Sequence, residues 1–181
     1  WDNVAGVSVA SIPLTLTPSL RSQLTSLEAP TDAADNYGAR IRGYLCAPQT
    51  GSYTFYIASD DYSELWLSTD ELPASRVRLC HVNDWTNPRE WNKLPIQKST
   101  LVPLVAGQRY YLEVLHKEGG AGDNLAVGWQ LPDGTLELPI AGNRLSAYQP
   151  GAGRVGAQST ADVQPDVTLF PNPLSSGRLS L

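Results

Sequence analysis

Methionine is absent from the 181 residues, and cysteine, phenylalanine and histidine occur only twice each. Two cysteines exclude a scaffold held by several disulfides. Cys46 and Cys80, with His81 and His116, match no zinc-ligand spacing. The two thiols admit a single pairing in an oxidising compartment, or remain as small buried hydrophobes. Positive charge is also scarce, with 13 Lys and Arg against 18 Asp and Glu, for a net charge of -5. Nucleic acids and anionic membranes require a basic surface, so neither is an expected partner. No apolar run approaches the roughly 20 residues that cross a bilayer as a helix, so membrane insertion is not expected. No signal peptide stands at the start, and a chain that opens on Trp1 reads as a processed piece of something longer.

Turn formers are abundant: 15 Gly and 14 Pro. Hydrophobic residues make up 41%, enough for one core of good size. Many turns and many apolar residues together favour short strands over long helices. Ile41, Gly43 and Leu45 alternate with Arg40, Arg42 and Tyr44. Tyr53, Phe55 and Ile57 alternate with Thr54, Tyr56 and Ala58. This two-residue period is that of a strand with one face in the core. Further strands are expected over 64–68, 76–81, 96–105, 109–116, 125–130 and 136–138. The order around residue 60 suggests a hairpin with Asp60-Asp61-Tyr62-Ser63 near its tip. Residues 83–91 form a polar loop with Trp85 and Trp91, and residues 117–124 (KEGGAGDN) form a glycine-rich loop. The expected fold is all-β, an antiparallel sandwich or barrel of eight to ten short strands.

Two runs in this order carry a family resemblance: RGYLCAPQTGSYTFYIASDDYSELWLS and LVAGQRYYLEVLHKEGGAGDNLAVGWQLP. Over residues 1–148 the chain resembles the PA14 domain, named for the protective antigen of anthrax toxin. The resemblance implies a β-sandwich-like barrel found in bacterial toxins, in glycosidases as an added module, and in yeast flocculins and adhesins. In lectin-like members the adjacent aspartates are joined by a cis peptide and hold calcium, which in turn contacts sugar hydroxyls. On this resemblance the metal ligands are Asp60, Asp61, Asp123 and Asn124, with backbone carbonyls near Leu125. The glycine-rich loop is the expected source of the second half of that set. Calcium takes six to eight oxygens, and vicinal hydroxyls are hard ligands that replace its water. Asp60 and Asp61 would meet the sugar through the ion, with Trp85 and Tyr62 as candidate aromatic contacts.

Residues 149–165 (QPGAGRVGAQSTADVQP) read as a Pro/Gly-rich linker. Residues 166–181, DVTLFPNPLSSGRLSL, resemble the opening of a C-terminal sorting domain of type IX secretion cargo. The functional expectation is a calcium-dependent carbohydrate-binding module of lectin or adhesin type, monomeric, on a secreted or cell-surface bacterial protein. The alternative is a structural or protein-interaction spacer attached to a secreted enzyme such as a glycoside hydrolase. Catalysis is not expected: no Ser/His/Asp or Cys/His set presents itself, and adjacent aspartates stand too close for the two roles of a glycosidase pair.

Overall fold

The computed structural model describes residues 1–149. The proposed linker beyond Gln149 and the sorting-domain segment lie outside the described residues. Among those described there are nine strands, four three-residue 3-10 turns and no α-helix. The strands are β1 (Gly38–Cys46), β2 (Gly51–Asp60), β3 (Tyr62–Ser68), β4 (Arg76–Val82), β5 (Val102–Leu104), β6 (Arg109–Lys117), β7 (Asn124–Gln130), β8 (Leu136–Glu137) and β9 (Leu145–Ala147). They form two antiparallel sheets, one ordered β4-β3-β6-β1-β9 and the other β5-β2-β7-β8. The all-β expectation holds.

The two-residue period decides which side chains fill the space between the sheets. Tyr53, Phe55 and Ile57 of β2 are fully buried, as are Val127 and Trp129 of β7. Opposite them lie Ile41 and Leu45 of β1 and Leu112 and Val114 of β6. Trp129 packs against Tyr53 with ring centroids 4.9 Å apart. Burying a side chain of this kind contributes about 1.5–3 kcal/mol, so this inner layer holds the two sheets face to face.

Two expectations need correction. Asp60-Asp61 is not the tip of a hairpin, because β2 and β3 belong to different sheets. β2 pairs with β7 and β5, and β3 with β4 and β6, so each finds its ladder partners elsewhere. Asp61 is the single residue between them, at a corner where the chain changes sheets. The stretch 96–105 is not one strand: residues Pro95–Gln97 form a 3-10 turn, Lys98 makes an isolated bridge to Tyr56, and Val102–Leu104 pair with β2. Pro103 has no N–H to donate, which fits the short edge strand it occupies. Of the two states left open for Cys46 and Cys80, the structure shows free thiols.

Candidate metal and glycan site

Strand register builds the site. On one sheet Asp60, the last residue of β2, lies opposite Asn124, the first of β7. On the other, Tyr62 at the start of β3 lies opposite Lys117 at the end of β6. The loop from Lys117 to Asn124 must therefore close over Asp61, and it does. The Gly119 amide donates to Asp61 Oδ2 at 3.0 Å, and the Asp61 amide donates to Glu118 Oε2 at 2.9 Å. A Cβ on Gly119 would stand 3.0 Å from Asp61 Oδ2, so a larger residue here would press on the carboxylate that the amide binds.

The peptide between Asp60 and Asp61 is cis. The corner is held from behind. Ser59 Oγ donates to the Asp61 carbonyl at 2.6 Å, and the Thr86 amide donates to the Ser59 carbonyl at 2.7 Å. His116 Nε2 meets the Asp60 carbonyl at 2.8 Å, and its Nδ1 faces the Tyr37 hydroxyl at 3.4 Å. Full burial lowers the His116 pKa to about 4, so the ring is neutral and Nε2–H is the donor to the carbonyl.

Carboxylate oxygens of Asp60, Asp61 and Glu118 all lie within 4.8 Å of one another. Glu118 was missing from the sequence-derived ligand set. It stands in the loop already singled out, but only the β3–β6 register shows that its side chain turns back onto Asp61. Burial first, then the charge of Asp61, raises the Asp60 carboxyl to about 6. Burial and the charges of Asp61, Asp60 and Asp123 raise Glu118 to about 7, against the pull of its bond to the Asp61 amide. Lys117 is 1% exposed and its ammonium donates to the Glu118 carbonyl, supplying some opposite charge.

Asn124 joins the site through β2–β7 pairing. Its Nδ2 donates to the Thr86 carbonyl at 2.8 Å, which orients Oδ1 the other way. Asp123 serves a further segment: its Oδ2 accepts the amides of Ala33 at 2.6 Å and Ala34 at 3.0 Å. It is not a member of the three-carboxylate group. The Leu125 carbonyl accepts the Ala29 amide at 2.8 Å. Three buried oxygens here have no hydrogen-bond partner among the described residues: Glu118 Oε1, Asp123 Oδ1 and Asn124 Oδ1. A buried acceptor without a donor costs about 1–3 kcal/mol, more when charged.

These donors fit calcium. They are all hard oxygens, with no thiolate or free imidazole among them. At Ca–O distances of about 2.3–2.6 Å, two ligands of one ion stand at most about 5 Å apart. The spread of the three carboxylates falls within that limit.

Of the aromatic candidates, Tyr62 is half-buried beside Asp61. Trp85 is 46% exposed and adjoins Thr86, which is bonded to both Ser59 and Asn124. One face of Trp85 is covered: the Lys93 ammonium lies 3.1 Å from the ring centroid and donates to the Trp85 carbonyl at 2.7 Å. Only the opposite face of the indole remains for a sugar.

Comparison with known proteins agrees with the architecture. The chain is 41% identical over 140 residues to mouse (Mus musculus) N-acetyl-beta-glucosaminyl-glycoprotein 4-beta-N-acetylgalactosaminyltransferase 1, covering 74% of this chain and 13% of that enzyme. It is 28% identical over 135 residues to fibrocystin from the dog (Canis lupus familiaris), covering 71% of this chain and 3% of fibrocystin. The chain thus spans a small part of the length of the curated relatives it matches. Among solved structures, the epithelial adhesin 6 A domain of Candida glabrata, in complex with Galb1-3GlcNAc, superposes with a TM-score of 0.50. That likeness covers 71% of this chain and 58% of the adhesin chain at 14% identity, and it shows a shared fold. A family model, PA14 domain, matches residues 22–143. The chain belongs to the PA14 domain family.

Proposed function

We propose that this domain is a non-catalytic, calcium-dependent carbohydrate-binding module of a secreted or cell-surface protein. The observation that carries the metal is the set of three buried oxygens without donors beside three clustered carboxylates. A protein that buries acceptors needs donors or a cation for them. Asp60, Asp61, Glu118 and Asn124 would hold the ion, with Asp123 bracing the loop. Bound calcium supplies a Lewis-acidic centre that accepts sugar hydroxyls in place of water. The chain's own part is to hold the oxygens in place and to offer the open face of Trp85, with Tyr62, for apolar contact with the ring. The glycan complex of the Candida adhesin, which shares the fold, supports this reading.

A second reading is a calcium-stabilised spacer without a glycan. Glu118 favours it, because a third carboxylate takes a coordination position that a sugar would otherwise use. Calorimetric titration with calcium, then a glycan array with and without chelator, separates the two. Calcium binding with chelator-sensitive glycan signal supports the lectin. Calcium binding with a silent array leaves the spacer. No calcium binding by wild type at millimolar metal, or equal binding by Asp60→Asn, refutes the site.

A further inference from the structure

A second site lies outside the acidic corner, on the outer face of the five-stranded sheet. Trp1, Leu14, Leu16, Pro18, Arg21, Arg40 and Arg42 line an open cavity of about 80 Å³. Three guanidinium-bearing residues and no carboxylate line it, in a chain whose net charge is -5. Arg40 and Arg42 stand two apart on β1, so both project from the same face. Arg21 reaches the cavity from the N-terminal segment. That segment is anchored where the Trp1 indole donates to the Leu16 carbonyl at 3.0 Å.

Their hydrogen-bonding capacity is unequally used. Arg40 is paired with buried Glu113 at 2.8 Å, and Arg76 approaches the same carboxylate at 3.5 Å. Arg42 has its guanidinium over the Tyr148 ring, 4.1 Å from the centroid. That contact uses a face and leaves the in-plane N–H groups free. No ion pair or hydrogen bond engages the Arg42 or Arg21 guanidinium among the described residues. A guanidinium carries five N–H donors in a fork that matches two oxygens of one anion. Three arginines line the cavity and one of them, Arg40, is paired with Glu113, which leaves this spot locally positive. The cavity opens to solvent on one side, so an anion can seat its oxygens between the guanidinium groups without being enclosed.

We propose that this cavity binds a single oxyanion group of the sulfate, phosphate or carboxylate class, gripped by Arg42 and Arg21, with Arg40 and Trp1 as its wall. The inference does not depend on calcium or on the glycan reading. The test is a titration of the full chain, followed by amide chemical shifts, with sodium sulfate against sodium chloride at constant ionic strength. Expected are saturable shifts at residues 21, 40 and 42 with sulfate alone. Arg42→Gln and Arg21→Gln should each weaken sulfate at least ten-fold with little change in melting temperature. Arg89→Gln, which removes a charge paired with Glu28 elsewhere, should leave it unchanged. A sulfated disaccharide then distinguishes a glycan-borne group, binding at least ten-fold tighter than the free ion, from the inorganic ion itself. Shifts that grow linearly without saturation, or equal sulfate affinity in wild type and both cavity variants, overturn the proposal.

Discussion

Glu118→Gln should change stability in opposite directions with and without calcium. Glu118 Oε2 accepts the Asp61 amide, and Oε1 has no partner. Its charge stands within 4.8 Å of the carboxylates of Asp60 and Asp61. Without metal that charge is unfavourable: burial and like charges raise its pKa to about 7. Glutamine keeps an oxygen for the Asp61 amide, removes the charge and adds an N–H₂ that can donate to a neighbouring carboxylate. In chelator at pH 8 the variant should therefore melt above wild type. With calcium the sign reverses. Two unit charges 4 Å apart interact by about 4 kcal/mol at an effective dielectric of 20, so losing one charged ligand should cost about 2–4 kcal/mol of binding. That is a rise of about 30- to 1,000-fold in Kd. Calorimetry measures the affinity, and thermal melts in calcium and in chelator measure the two signs. If the variant shifts the melting temperature the same way in both buffers, Glu118 does not face the ion and the coordination argued here is wrong.

The same carboxylates set a pH dependence. The Asp60 carboxyl rises from 3.8 to about 6 and Glu118 from 4.5 to about 7, so the folded metal-free protein holds protons more tightly than the unfolded chain. Their contribution to metal-free stability is fully present below about pH 4 and is lost as pH rises through 6 and 7. Calcium competes with those protons, so the gap between melting temperatures in calcium and in chelator should widen from pH 5 to 8; a constant gap would contradict the assignment. Asn124→Ala removes a buried bond to the Thr86 carbonyl and should cost about 1–3 kcal/mol even in chelator, measured by urea unfolding; a loss seen only in calcium would mean that Asn124 acts through the metal alone.

Most of the frame was legible because it rests on a local rule. The alternation of Tyr53, Phe55 and Ile57 with more polar neighbours is written in consecutive residues, and those three form the buried face of β2. What failed was non-local. Nothing in the stretch IASDDYSELWLS tells a tight hairpin from a corner between sheets, since that is decided by which distant strands β2 and β3 pair with. Glu118 was overlooked for the same reason. Its role depends on the β3–β6 register, which brings residues 118 and 61 together across 57 positions of chain. Trp85 was legible as an aromatic on a polar loop, but its covering by Lys93 eight residues on was not. The acidic pair itself was recognised through resemblance to a family, since two adjacent aspartates otherwise read as a solvated turn.

The corner's place in the fold explains why a cation there would serve structure as well as recognition. The two sheets are joined covalently at Asp61, where β2 passes into β3, and again by the loop from Lys117 to Asn124, where β6 passes into β7. Both crossings occur at the same rim, so backbone leaving two ladders converges on one small volume. Irregular backbone and acidic side chains there compete for few donors. The Asp61 and Gly119 amides, Ser59 and neutral His116 satisfy part of the demand. The buried ammonium of Lys117 is spent on a carbonyl and balances at most one of three carboxylates. A single divalent ion would meet the remaining demand, because it has no fixed direction and accepts six to eight oxygens at once. A ligand held by that ion would then be supported by both sheets.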